Sequence, residues 1–357
     1  MNENGLCWSY AHISTDAVKN LYSRLQDQES RDVFTARLMH MLTGDDELIW
    51  KLTDKLYDAG VFSSEISELL ALQKSGKKII LHGAGEVGER AKIYFERHGL
   101  CPDLFCDKNE DKQRNGYLNL PVVSLQELVE NQALSVAVLT VSPVYAGQIK
   151  RELAESGFHS EVYDFFVNHV ICGYFDWDFL KPVDNEILID GGVLDGGDIM
   201  DFIKFTGGEF EKVYGFEPDA LSYQRSIDNV SKFERVKIIN KGLWREDAVL
   251  SFHGKGDGFS RISDEGSTQI SVTPIDEAVG DDKVTFIKMD VECAELEALR
   301  GAAKTIIRCK PRCAISIYHK PEDIIELPLY LLSLVHDYRF YLRHCTIGTV
   351  QTVLYAI

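Results

Sequence analysis

Residues 187–202 read ILIDGGVLDGGDIMDF. An apolar run of strand length stops at Asp190, glycine or aspartate fills five of the next seven positions, and apolar spacing typical of a helix follows. Strand, glycine turn and helix open a doubly wound α/β sheet, whose ligands sit beyond the carboxyl ends of the strands. Glycines in such a turn let the backbone come close to a guest. A carboxylate at the strand end repels a phosphate, so the expected guest is nucleotide-like but not anionic at this spot.

The pattern continues outward. KVYGFEP (212–218) reads as the second strand, ALSYQRSIDNVSKF as a helix and VKIIN as the third strand. VLSFHG and QISVTPI read as strands around a Gly/Ser-rich loop, followed by the strand VTFIKMDV (284–291) and one long helix, AELEALRGAAKTII. CAISIYH (313–319), a helix from about Asp323 to Val335 and a final β pair, YRFYLRH and VQTVLYAI, complete the unit. Its strand ends carry Asp190, Glu217, Asp290 with Glu292, and His319, where ordinary turn chemistry favours Asn, Gly or Ser.

These groups suit S-adenosylmethionine, which carries a sulfonium cation, an amino group, ribose hydroxyls and a single carboxylate. Gly191, Gly192 and Gly196 would let the turn pass beside its amino-acid end. Asp190 and Asp195 would face the cationic part, and Glu217 would accept the ribose hydroxyls, as an acid at the second strand end does in dinucleotide folds. The competing structural roles are helix capping for Asp195 or Asp198 and a solvated turn for Glu217.

IDGGVLDGG (189–197), VYGFEPDALSY (213–223), TPIDEAV (273–279), FIKMDVECAELEALRGA (286–302) and ISIYHKPEDIIELP (315–328) together resemble the FkbM family of S-adenosylmethionine-dependent methyltransferases. The resemblance implies methyl transfer, usually to oxygen, on sugars, polysaccharides or secondary metabolites. By matching position it implies cofactor contacts at Asp190, Gly192, Gly196 and Glu217, with Asp290 and Glu292 near the methyl group. Val291-Glu292-Cys293 departs from the family's usual Val-Glu-Gly, and Gly192-Val193 from a common Gly-Ala pair.

Methyl transfer to a hydroxyl asks the protein for positioning and proton removal. His319 is the first candidate base and a substrate contact beside Glu292, because it leaves a strand abruptly before Lys320-Pro321 and titrates near neutrality. Asp290 is the second candidate base. Asp276 is expected to cap the short helix that follows it. No metal is expected: Asp290, Glu292 and His319 lack a ligand pair with His at i, i+3 or i+4 spacing.

Upstream, KKIILHGAGEVGERAKIYFERHG (77–99) is a second strand–turn–helix, with G-x-G-x-x-G at Gly83, Gly85 and Gly88 and with Asp107 near the next strand end. It also resembles small sugar-nucleotide-binding domains, through Gly-Ala-Gly and the later Leu120-Pro121-Val122-Val123. The alternative activities are thus an NAD(P)-dependent oxidoreductase or a nucleotide-sugar-binding protein acting through 77–165. A non-enzymatic binding module is the third reading. Residues 1–75 carry only helical spacing.

The net charge of −18 argues against nucleic-acid backbones and anionic membranes as main partners. No apolar run approaches the roughly 18–20 residues of a membrane span. The eight cysteines lack zinc-site spacing and fit free thiols in a reducing cytoplasm. The sequence therefore predicts a cytoplasmic α/β enzyme, open to homo-oligomerisation, with two doubly wound Rossmann-like domains in tandem. A helical segment (1–75) comes first, then an accessory domain (76–170), then a methyltransferase domain (171–357) closed by an antiparallel β pair. Its acceptor is expected to be a small molecule or glycan.

Overall fold

The structure, a computed structural model, describes residues 14–58, 60, 63–141, 143–164, 172–253, 261, 262, 266 and 268–357. They form two compact units. The larger comprises the described residues up to Leu48, Tyr174–His344 and Gln351–Ile357; the smaller comprises Ile49–Gly173 and Cys345–Val350. The helical segment is therefore divided between them and is not a body of its own.

Helices α1 (Thr15–Arg24), α2 (Gln28–Thr43), α3 (Glu47–Asp58) and α4 (Ser63–Lys74) open the chain. Ser14 and Asp27 cap the first two by accepting N–H bonds from Ala17 and Ser30. In the smaller unit follow β1 (Lys78–His82), α5 (Glu86–Arg97), β2 (Leu104–Cys106), α6 (Glu110–Asn115), β3 (Val122–Val123), α7 (Leu125–Glu130), β4 (Ser135–Leu139), α8 (Pro143–Glu155) and β5 (Val162–Tyr163). The five strands form a parallel sheet in the order β3-β2-β1-β4-β5. Both its faces are covered, which is why β1 and β4 are apolar at successive positions. Ile79 and Leu81 pack with Trp50, Leu69 and Phe95, while Ile80 packs with Leu128, Leu139 and Leu153.

The larger unit continues with β6 (Ile187–Gly191), α9 (Gly197–Phe205), β7 (Lys212–Phe216), α10 (Ala220–Val230), β8 (Val236–Ile239), β9 (Gly242–Leu243), β10 (Ala248–His253), β11 (Arg261–Ile262), β12 (Thr268–Thr273) and α11 (Ile275–Val279). It ends with β13 (Phe286–Met289), α12 (Glu295–Arg300), α13 (Ala303–Cys309), β14 (Arg312–Ser316), α14 (Asp323–Leu334), β15 (Phe340–His344) and β16 (Thr352–Ala356). The main sheet has seven strands in the order β15-β16-β14-β13-β6-β7-β8. The five from β14 to β8 are parallel, and β16 and β15 add the expected antiparallel pair. A small sheet, β11-β10-β12-β9, lies in the same unit. Most of the Gly/Ser-rich stretch 254–268 falls outside the described residues.

Leu188, Val213, Phe286, Ala314 and Tyr355 bury one sheet face with Phe175, Ile199 and Phe202. Helix α2 lies along β15: the Ser30 hydroxyl accepts the Leu342 N–H at 2.9 Å, and Asp27 pairs with Arg343 at 2.6 Å. These bonds tie α2 to the larger unit.

One element departs from the sequence reading. The long helix expected over AELEALRGAAKTII is two, α12 and α13, with the break at Gly301-Ala302. A Cβ on Gly301 would meet the Trp244 carbonyl at 2.1 Å, so that backbone crosses too close for any other residue. Asp276 restarts the helix by accepting the N–H groups of Lys304 and Thr305. It caps α13, therefore, and not the helix α11 that contains it.

Candidate active site

The carboxyl ends of β6, β7, β13 and β14 bring the predicted residues to one edge of the main sheet. At the centre lies Asp190, fully buried at the end of β6. Its neighbour on β13 is Lys288, also buried, whose Nζ is 3.0 Å from Asp190 Oδ1, 2.9 Å from Asp198 Oδ2 and 2.8 Å from the Gly192 carbonyl. The contact with Asp190 is an ion pair without hydrogen-bond alignment; neither Asp190 oxygen makes a hydrogen bond among the described residues. Burial pushes the Asp190 carboxyl up to about 7, against the pull of Lys288. Burial alone would lower the Lys288 ammonium; Asp190, Asp198 and Asp290 outweigh it and keep the lysine charged. Asp190 thus turns into the protein, where the sequence reading had it facing a ligand.

The turn glycines are needed for reasons internal to the protein. A Cβ on Gly192, at φ +81°, would stand 1.9 Å from the Asp290 carbonyl, and one on Gly191 would stand 2.7 Å from Leu243 Cδ1. Gly196, at φ +89°, is the N-cap of α9. The Asp195 carboxylate accepts the Gly197 N–H at 3.0 Å, the local capping role. Glu217 is buried, and its two oxygens accept N–H bonds from Leu194 (2.8 Å) and Asp219 (2.9 Å), which ties β7 to the glycine turn. Burial pushes its carboxyl up to about 7 despite both bonds.

On the other side, Asp290 receives hydrogen bonds from the hydroxyls of Tyr174 (3.0 Å) and Tyr318 (3.2 Å). His319 Nδ1 is 2.8 Å from the buried Glu295 carboxylate, and Nε2 is 3.4 Å from both Asp290 Oδ1 and Glu292 Oε2. Burial would strip the ring of its proton, but Glu295, Glu292 and Asp290 outweigh it and raise its pKa well above the ordinary value. A ring that holds its proton so firmly is a poor general base at neutral pH. Glu292 and Cys293 both adopt left-handed backbone, φ +50° and +76°. The position where the family pattern has glycine is left-handed here and occupied by a cysteine.

Sequence reasoning passed over Lys288, Glu295, Tyr174 and Tyr318. Lys288 had a readable signal, a charge inside the apolar run of a central strand, which demands a buried partner.

In the smaller unit, the Cβ positions of Gly83 and Gly88 are blocked by the Thr140 carbonyl at 2.5 Å and the Gly83 carbonyl at 2.1 Å, and Gly85 caps α5. Asp107 accepts the N–H groups of Ala84 and Asn109, and Lys112 bonds the Ala84 carbonyl. The turn is held by these side chains.

Residues 190–346 match the family model of the methyltransferase FkbM domain, and all four strand ends of the site fall within them. That stretch, less than half of the chain, is similar to the methyltransferase FkbM domain. Among solved structures it is similar to methyltransferase FkbM from Methylobacillus flagellatus (24% identity, 79% of this chain and 90% of that one, TM-score 0.47). It is also similar to an rRNA methylase from Streptococcus thermophilus (18%, 48% and 86%, 0.33). A third likeness is to an S-adenosylmethionine-dependent methyltransferase from Aquifex aeolicus (16%, 49% and 84%, 0.30). No curated protein matches the chain. Among the described residues no helix is long and apolar enough to cross a membrane.

Proposed function

We propose that the FkbM domain binds S-adenosylmethionine at the ends of β6 and β7 and methylates an oxygen of a small-molecule or glycan acceptor beside the ends of β13 and β14. The observation that carries the reading is the charge of this edge. Asp190, Asp198, Glu217 and Asp290 converge on it, and its lysine is buried and already paired with two of them. A pyrophosphate would meet carboxylates there, whereas a cofactor with a sulfonium, an amino group and ribose hydroxyls finds acceptors.

Bound there, the cofactor supplies a methyl group already joined to its leaving group. The chain's share is placement and proton removal. Glu217, fixed by two backbone N–H groups, offers its remaining lone pairs to the ribose hydroxyls. The Gly191-Gly192 turn, braced by Lys288 on the Gly192 carbonyl, sets the position of the amino-acid end. Asp290, partly exposed and oriented by two tyrosine hydroxyls, receives the acceptor proton. Glu292 orients the acceptor. The smaller unit is read as a Rossmann-like accessory module, with its glycine turn stabilised by Asp107 and Lys112 and no cofactor assigned to it.

Calorimetric titration tests the cofactor: S-adenosylmethionine and S-adenosylhomocysteine should bind, Glu217→Ala should lose at least about tenfold in affinity (about 1.4 kcal/mol), and NAD should not bind. Binding of NAD with neither adenosyl compound would overturn the reading.

A further inference from the structure

The sequence spacing argued against a metal, yet the fold supplies what the spacing lacks. Asp290 and Glu292 leave β13 two residues apart, and His319 arrives from the end of the neighbouring β14. One ligand atom from each lies within 4.8 Å of the others. The His319 side chain is only 5% exposed, and its Nε2 makes no hydrogen bond among the described residues although it points at both carboxylates. At 3.4 Å from Asp290 Oδ1 and from Glu292 Oε2, it is too far from either for a good hydrogen bond. That separation instead matches the edge of a tetrahedron around a cation with bonds of about 2.1 Å.

The other ring nitrogen supports the same conclusion. Nδ1 lies 2.8 Å from Glu295 Oε1, which also accepts the Val291 N–H at 3.0 Å. A buried carboxylate that accepts a hydrogen bond from Nδ1–H leaves the Nε2 lone pair facing the two acids, which is how proteins present imidazole to a metal. Without a cation, three carboxylates share one imidazolium in a largely buried space, and their charge stays mostly uncompensated.

We infer that Asp290 Oδ1, Glu292 Oε2 and His319 Nε2 form a binding site for a divalent first-row transition cation, with Glu295 as the group that positions the ring. Two carboxylates and one imidazole suit Mn2+ and Zn2+ better than the all-oxygen preference of Mg2+ or Ca2+. Three protein ligands leave a coordination position open, and an acceptor hydroxyl bound there is acidified. This last role rests on the proposed methyl transfer; the site itself does not. Asp290 Oδ2, hydrogen-bonded by Tyr174, stays outside the ligand set and available to a proton.

The test is titration of the full-length, chelator-treated protein with Mn2+ by electron paramagnetic resonance, alongside a separate titration with S-adenosylhomocysteine. Wild type should bind one tight equivalent of Mn2+. Glu292→Gln and His319→Asn should each weaken it at least tenfold, and Glu295→Gln by about 10–100-fold, while all three keep binding S-adenosylhomocysteine and so report themselves folded. No stoichiometric equivalent in wild type, or unchanged affinity in Glu292→Gln and His319→Asn, overturns the site and leaves only the diffuse attraction of an acidic protein. Cofactor binding without Mn2+ binding defeats the metal site alone. Mn2+ binding without cofactor binding supports the site and defeats the cofactor reading.

Discussion

Lys288 shows how one residue sets the electrostatics of the site. A lysine and an aspartate, both fully buried, are tolerated because each neutralises the other, with Asp198 and the Gly192 carbonyl completing the lysine's shell. Removing the cation alone leaves Asp190 buried without a partner. Lys288→Met should therefore cost about 3–5 kcal/mol in urea unfolding, while Asp190→Asn combined with Lys288→Met should recover most of the loss. A single-mutant cost under about 1 kcal/mol would mean that the pair carries no such burden. Asp190, Glu217, Asp290 and His319 were legible because acids and a histidine at strand ends break the expectation for ordinary turns. Their orientations were not: that Asp190 faces inward and that Glu217 spends its oxygens on Leu194 and Asp219 depends on neighbours distant in sequence.

Elements meet here at distances that only glycine permits. The end of β6 and the end of β13 approach so closely that a methyl group on Gly192 would overlap the Asp290 carbonyl. The glycine turn and the acid turn are thus one mechanical unit, and a change in one moves the other. Gly192→Ala should weaken S-adenosylhomocysteine binding by at least about tenfold, or about 1.4 kcal/mol, because Asp290 must shift. Gly208→Ala is the control: it also has positive φ, at +85°, but no atom lies within 4 Å of its added Cβ. It should cost about 1 kcal/mol of stability from left-handed strain and leave binding unchanged. Equal effects of the two on binding would show that strain, not the close approach, matters at Gly192. The element pattern was legible wherever apolar period and turn residues agreed, as in β6, β7, β13 and the final β pair. It failed at Gly301, where helical periodicity runs on unbroken and only the crossing of Trp244 breaks the helix.

At the scale of the molecule, the sequence shows two α/β units because each restarts with its own strand, glycine turn and helix. It does not show that Cys345–Val350, between β15 and β16, belongs with the smaller unit, since grouping of that kind depends on packing and not on local pattern. The buried acids also make a prediction for the whole chain. The carboxyls of Glu217 and Asp323 are each pushed up to about 7 by burial, so between their unfolded values and about pH 7 the folded state binds more protons than the unfolded one. Their contribution is complete below pH 4, shrinks as pH rises and is gone above about 7. His319, raised by its carboxylates, acts in the same direction at higher pH: its contribution is full below its unfolded value and lost as pH passes the raised one. Asp27 and Asp282 are held low, Asp27 by its hydrogen bonds to Arg343 and Ser30 against burial and Asp282 by Lys212, and lose their contribution only in acid. Urea unfolding of the ligand-free protein should therefore show stability falling steadily from pH 5 to pH 8, and Glu217→Gln should flatten that slope. A profile that rises over this range would mean that these carboxyls are ionised at neutral pH, and that the site is open to water beyond what their burial allows.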